Sequence, residues 1–243
     1  MDADDFFLPT ALGDFFNVAE EFGADVVHTE KFFSFNDAGK VNFNRDELTL
    51  QKYETGDCVE VPTLEPADLT ERIRCCIAGR WLWMPWSKFY RRDFLTENKI
   101  TFPDMALTED LVFCLKCLCF AKNYLRVPHV TNIYRVNQNS VSKKVMTSQR
   151  GVKLWLSSIT EGMNRIFDFM DELEIFRGNN ELHALTAKFL VDNYFSFIKN
   201  LFTTKKPNEV PKIFYDELQN PALDGNGKNL LVAYLLAERA LRR

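Results

Sequence analysis

This sequence lacks the features that mark several classes of protein. Lys and Arg total 30 against 34 Asp and Glu, so the formal charge is -4 and no basic excess points to a nucleic-acid partner. Only 10 Gly and 9 Pro occur among 243 residues, which excludes collagen-like and low-complexity chains. The longest apolar run, Leu230 to Ala237, is far shorter than the roughly 20 residues that span a bilayer. What remains is a packed globular chain of one or two domains.

The N-terminus and the cysteines indicate the compartment. Met1 is followed by Asp2-Ala3-Asp4-Asp5, which is acidic where a secretory signal needs basic residues. We therefore expect a cytoplasmic protein whose six Cys are free thiols. Cys114 and Cys117 form a CxxC pattern on an apolar helical face, without a second Cys pair or a neighbouring His, and this predicts core packing rather than a zinc site.

The beginning of the chain mixes helical and extended patterns. Apolar residues recur at helical spacing from Leu12 to Phe22, and Gly23 is a natural stop. The segments 25–28 and 31–35 read as extended, and the turn residues 36–39 before Val41 and Phe43 predict a hairpin. Residues 44–66 are weakly patterned, and we expect a surface excursion there.

The next stretch carries two candidate helix caps and an aromatic segment. Asp68 and Thr108 are each placed to cap the helix that follows them. The aromatic segment from Trp81 to Arg92 predicts a buried strand that leads into a short helix, and a further strand is expected over 131–136.

Long helical patterns dominate from about residue 148 onward. We place helices at 148–175, 181–202, 209–219 and 228–242, separated by Gly and Pro residues. The sequence therefore predicts an α/β region over 1–145 and an all-helical region over 146–243.

Two acidic clusters could carry chemistry. Asp2, Asp4 and Asp5 supply the oxygen ligands that Mg²⁺ or Mn²⁺ prefers, although a solvated acidic terminus has the same composition. Glu109 and Asp110 lie at a predicted helix start, where carboxylates also complement the helix dipole.

The order of the motifs resembles glycosyltransferase family 2, a group with the GT-A fold that transfers a sugar from a nucleotide donor to an acceptor hydroxyl. Asp2-Ala3-Asp4-Asp5 is similar to that family's DxD element and Glu109-Asp110 to its ED element. Between them lies the segment 86–95, and after them come Tyr134-Arg135-Val136 and the segment 139–142. The resemblance covers roughly residues 1 to 145.

The resemblance implies a fold, a reaction and a set of site residues. It implies a partial GT-A, Rossmann-like sheet with flanking helices, followed by the helical region. Asp4 and Asp5 would hold Mn²⁺ or Mg²⁺ and the donor diphosphate, with Asp2 toward the nucleoside. Asp110 would be the catalytic base, with Glu109 beside it. The donor would be a nucleotide sugar, with a uridine diphosphate sugar expected.

These residue types suit the reaction. A bound cation stabilises the negative charge that develops on a leaving nucleotide diphosphate. A carboxylate on the opposite side can take the proton from the attacking hydroxyl. A single displacement of this kind inverts the anomeric carbon.

Other residues have a functional and a structural interpretation. Lys88 and Arg91 could contact donor phosphates or be solvated. Trp86 could stack on an acceptor sugar or belong to the core. The last helix combines Leu and Arg residues that could lie on the inner face of an anionic membrane. That position would suit a glycan or lipid-linked acceptor in cell-surface polysaccharide synthesis. The same Leu residues could instead pack on the preceding helices.

The chain starts at the DxD-like element, whereas members of the family carry a nucleotide-binding half before it. On this ground we expect a truncated transferase that is weakly active or inactive alone. A non-catalytic helical binding or scaffold protein with an incidental acidic start is the competing hypothesis.

Overall fold

The computed structural model of the chain describes residues 5–35, 48–52, 58–80, 83–136, 149–204 and 210–241. The chain divides into two compact units. The sheet unit comprises Met1–Phe102 and Phe113–Gln138, and the helical unit comprises Pro103–Val112 and Asn139–Arg243. The helical unit thus takes a short segment from within the first half of the sequence. The domain boundary near residue 145 stays a prediction.

A mixed sheet forms the sheet unit. Within the described residues its strands are β1 (Phe6–Phe7), β2 (Val26–Phe35), β3 (Thr49–Lys52), β4 (Thr63–Leu64), β5 (Lys88–Tyr90) and β6 (Tyr124–Arg135). The two long strands β2 and β6 run parallel and pair from Val26↔Tyr124 to Phe35↔Arg135, with shifts of register between Thr29 and Phe33. The other four strands pair antiparallel with one of these two: β3 and β5 with β2, and β1 and β4 with β6.

The helix α1 (Ala11–Phe22) covers one face of this sheet. Phe15 and Val18 pack against Val27, Leu125 and Val127 in a buried cluster. The helix ends at Gly23, which has the left-handed φ of 56° that the predicted stop requires. Leu12 and Phe16 are 53% and 59% exposed, so the buried stripe is narrower than the apolar pattern of the sequence.

The remaining helices of the described residues are α2 (Leu69–Cys75), α3 (Arg92–Glu97), α4 (Glu109–Phe120), α5 (Gln149–Glu172), α6 (Asn180–Thr204), α7 (Val210–Leu218) and α8 (Asn226–Leu241). The predicted cap of α2 is confirmed, because Asp68 Oδ1 accepts the backbone N–H of Glu71 at 2.9 Å. The four predicted C-terminal helices correspond to α5 through α8. In the helical unit α5 contacts each of the other three.

Several sequence predictions differ from the structure. The two extended segments near residue 30 are one strand, β2, and the turn predicted at 36–39 lies outside the described residues. The predicted surface excursion contains β3 and β4. The aromatic segment contains a helical turn at Pro85–Ser87 that was not predicted, and the predicted strand leading into a short helix corresponds to β5 and α3. No helix of the described residues is both long and apolar enough to cross a bilayer.

Candidate active site

Asp5 lies at the carboxyl end of the parallel pair β2 and β6. Its side chain is buried, and Oδ1 accepts the backbone N–H of Arg135, the last residue of β6, at 2.9 Å. The carboxyl ends of parallel strands are where ligands bind in open α/β sheets. Asp2 and Asp4 lie outside the described residues. Their roles stay predictions.

Arg135 places a cation beside Asp5. Its guanidinium lies over the rings of Phe6 and Phe35, with 5.2 and 5.5 Å from Cζ to the ring centroids. Such cation–π contacts orient a guanidinium. Arg135 belongs to the Tyr134-Arg135-Val136 motif, but no role is predicted for it from the sequence. Its position near the end of the predicted strand 131–136 is the sequence feature that could have indicated a role.

Trp86 belongs to an aromatic cluster near the same end of the strands. Its ring stacks on Tyr134 with centroids 5.6 Å apart and planes 14° apart, and Phe32 meets both rings edge-on. The side-chain amide of Asn132 donates to the backbone carbonyl of Trp86 and anchors the turn that carries it. Asp5, Arg135 and Trp86 therefore lie at one end of the sheet.

Lys88 is part of the interior. It is 7% exposed, and Nζ donates to the carbonyl oxygen of Met84 at 2.9 Å and to Oγ of Ser87 at 3.1 Å. In the sheet it is paired with His28. These contacts show that Lys88 stabilises the turn before β5, and they add no support to a phosphate contact.

Arg91 lies at the other end of β2. Its guanidinium donates to Oδ1 of Asp25, with NH2 at 2.6 Å, and this hydrogen bond raises the pKa of Arg91. Asp25 precedes β2, whereas Phe35 ends it beside Arg135. A strand of this length spans about 30 Å at roughly 3.3 Å per residue. The structure does not bring Arg91 together with Asp5.

Glu109 and Asp110 begin helix α4 and belong to the helical unit, whereas Asp5 belongs to the sheet unit. Thr108 directly precedes the helix, as predicted, and its role as a side-chain cap stays a prediction. Thr108 has φ of 66°, and its Oγ1 donates to the backbone carbonyl of Ser158 at 3.0 Å. The catalytic roles of Glu109 and Asp110 stay predictions.

A metal site is not assembled within the described part of the chain, where no group of three His, Cys, Asp or Glu side chains could hold an ion. Of the predicted donor-site carboxylates Asp2, Asp4 and Asp5, the one within the described residues is Asp5, and it offers an oxygen of the kind that Mn²⁺ and Mg²⁺ prefer. Cys114 and Cys117 are buried, and desolvation raises the pKa of the Cys117 thiol. The predicted core packing of these two cysteines is confirmed.

The mixed sheet with its parallel central pair and flanking helices defines a glycosyltransferase-like fold, and the predicted fold class is confirmed. The chain is similar to crystal structures of TarS from S. aureus. A TarS fragment, residues 1–349, in complex with UDP-GlcNAc is 18% identical with a TM-score of 0.56, over 90% of this chain and 56% of that one. The same fragment in complex with UDP is 18% identical with a TM-score of 0.53, over 90% and 54%.

A longer TarS structure is 19% identical with a TM-score of 0.53, over 92% of this chain and 34% of that one. The chain thus spans about half the length of the TarS fragment. No protein-family model and no curated protein matches it. Likeness at this identity shows the fold alone.

Proposed function

We propose that this chain is part of a family 2 glycosyltransferase that transfers a sugar from a uridine diphosphate donor to an acceptor hydroxyl. The observation that carries the proposal is the placement of Asp5 and Arg135 at the carboxyl end of the parallel strands β2 and β6. The likeness to TarS in complex with UDP-GlcNAc supports the choice of donor.

The donor site combines charges of both signs. Asp5, with Asp4, would hold Mn²⁺ or Mg²⁺, and that cation would supply charge neutralisation for the leaving diphosphate. Asp2 contacts the nucleoside. The hydrogen bond from the Arg135 backbone N–H fixes the side chain of Asp5, and the guanidinium of Arg135, which lies over the ring of Phe6, would bind a phosphate oxygen.

Asp110 acts as general base. It takes the proton of the acceptor hydroxyl while the hydroxyl oxygen attacks the anomeric carbon. The bond from that carbon to the diphosphate oxygen breaks with its electron pair leaving on the diphosphate, so the configuration inverts. Glu109 contributes negative charge beside the base.

The acceptor site includes Trp86, and the acceptor is a glycan or a lipid-linked glycan. An indole ring suits the apolar face of a sugar. Contact of helix α8 with a membrane surface belongs to the same proposal, and the exposure of Leu236 on that helix, at 61%, is compatible with it.

Release of UDP from UDP-GlcNAc in the presence of Mn²⁺ and a glycan acceptor tests the proposal. We expect Asp110→Asn to lower kcat by about 100-fold or more with donor KM unchanged, because a general base contributes that much in typical enzymes. Asp171→Asn, an exposed carboxylate on α5, is the matched control and should leave kcat unchanged. Turnover that is equal in the two variants would contradict the role of Asp110 as base, and failure of the unmodified chain to bind UDP-GlcNAc would favour a binding or scaffold protein.

A further inference from the structure

Two residues other than Gly have a left-handed backbone within the described part of the chain. They are Lys99, with φ of 52°, and Thr108, with φ of 66°. Lys99 follows helix α3, where a left-handed residue commonly ends a helix, and the N–H of Ile100 returns to the carbonyl of Leu95. Its conformation therefore has an ordinary local cause.

Thr108 has no such cause. It precedes a helix, and residues at that position normally have an extended backbone. A β-branched side chain makes positive φ a genuine outlier, with strain that must be compensated elsewhere. Strain of this kind concentrates at functional sites. Here it falls on the residue next to Glu109 and Asp110.

Two hydrogen bonds attach this segment to helix α5. Oγ1 of Thr108 donates to the carbonyl of the buried Ser158 at 3.0 Å, and NH2 of Arg165 donates to the carbonyl of Asp104 at 3.3 Å. The first turn of α4 then starts from Thr108 itself, because the N–H of Leu111 donates to its carbonyl at 3.2 Å. The start of α4 is thus attached to α5 through the side chain of Thr108.

We propose that Thr108 is a positioning residue. Its bond to Ser158 holds the strained backbone that sets the orientation of Glu109 and Asp110. The inference rests on the proposed function for its chemical meaning, since Asp110 is there the base. A base displaced by about 1 Å can lose about 100-fold in rate.

Three substitutions test this inference. Thr108→Gly removes both the hydroxyl and the backbone restriction. Thr108→Ser keeps the hydroxyl bond and removes only the methyl branch. Lys99→Gly is the matched control, because it relieves the other left-handed residue without touching the carboxylates. Each variant is measured for kcat, for donor KM and for amide hydrogen exchange of Leu111 in the full chain.

We expect Thr108→Gly to lower kcat by about tenfold or more with donor KM unchanged, and to speed exchange at Leu111 by about tenfold. Thr108→Ser and Lys99→Gly should stay within about twofold of the unmodified chain in both. Unchanged exchange in Thr108→Gly would overturn the inference, as would faster exchange with kcat retained. If the unmodified chain transfers no sugar, exchange at Leu111 alone decides whether Thr108 orients the start of α4, and the proposed function is tested separately by the binding of UDP-GlcNAc.

Discussion

Arg126 is buried between two carboxylates in the sheet unit. Its Nε donates to Oε1 of Glu30 at 2.6 Å, and NH1 lies 3.3 Å from Oε1 of Glu65. The second oxygen of Glu30 accepts the N–H of Val59 at 2.7 Å. This network joins β2 and β6 to Val59 before β4 and to Glu65 after it, and in it one guanidinium offsets part of the charge of two buried carboxylates.

Replacing Arg126 by Met should therefore lower the free energy of unfolding by about 3–5 kcal/mol, because two buried carboxylates lose their counter-charge. Adding Glu30→Gln and Glu65→Gln to the same chain should restore part of this loss. Urea unfolding followed by circular dichroism measures both effects. A single variant as stable as the unmodified chain would contradict the role given to Arg126.

His28 on β2 is fully buried, and within the described residues neither of its ring nitrogens has a hydrogen-bond partner. Burial lowers the pKa of His28 well below its usual value, and the positive charges of Lys88 and Arg126 lower it further. In the unfolded chain the imidazole titrates near 6.5. At acidic pH the imidazole therefore binds a proton in the unfolded state and stays neutral in the folded state, so a lower pH favours unfolding.

His28→Leu should reduce the loss of stability on acidification. Between pH 6.5 and pH 5 one excluded proton costs up to about 2 kcal/mol in the free energy of unfolding, and this contribution disappears in the variant. The exposed His129, replaced by Gln, is the control. Denaturant titrations at pH 7.5 and pH 5 compare the three chains. The same acid sensitivity in His28→Leu as in the unmodified chain would show that His28 is not its source.

At the scale of helices and strands, local signals were reliable where they act within a few residues. The stop at Gly23, the cap at Asp68 and the helices of the C-terminal half follow from such signals. Pairing between distant strands has no local signal. The strands β3 and β4 are therefore not predicted from the sequence. The strand β6 starts seven residues earlier than predicted, because it pairs with β2 along its length.

Thr108 shows the limit of a cap rule. The residue type, its place before the helix and the acidic residues after it all favour a side-chain cap. The rule does not include helix α5, where the backbone carbonyl of Ser158 accepts a hydrogen bond from the Thr108 hydroxyl. A contact between residues 50 positions apart cannot be found from the local pattern.

Two glycines give opposite predictions for replacement by Ala. A Cβ at Gly227, in the first turn of α8, would lie 2.6 Å from Cβ of Met163 and 2.8 Å from the backbone nitrogen of Asn164 on α5. We expect Gly227→Ala to cost about 1–3 kcal/mol in the free energy of unfolding. No atom of the described residues outside the helix's own backbone lies within 4 Å of a Cβ added at Gly13 in α1, so Gly13→Ala should raise the free energy of unfolding by about 0.5–1 kcal/mol. Thermal unfolding measures both, and a shift of the same sign in the two variants would contradict this account of the α5 contact.

At the scale of the whole molecule, the order of motifs predicted the fold class but not which residues share one end of the sheet. Trp86 and Arg91 are five positions apart in sequence and lie on either side of the extended strand β5. Because β5 runs antiparallel to β2, Trp86 lies toward the carboxyl end of β2 and Arg91 toward its amino end. For this reason Arg91 is predicted from the sequence to share the donor site with Asp5, whereas Arg135 is not. Arg135 is 130 positions from Asp5, and its backbone N–H donates a hydrogen bond to the Asp5 carboxylate.

The binding of UDP-GlcNAc, measured by isothermal titration calorimetry with and without Mn²⁺, tests the central claim that the end of β2 and β6 near Asp5 is a nucleotide-sugar site. Asp5→Asn keeps an oxygen for the Arg135 N–H and removes the charge, and the exposed Asp93→Asn is its control. We predict Mn²⁺-dependent binding that Asp93→Asn retains and Asp5→Asn weakens by about tenfold or more, which corresponds to at least 1.4 kcal/mol. Equal binding by both variants, or no binding by the unmodified chain, would contradict the claim.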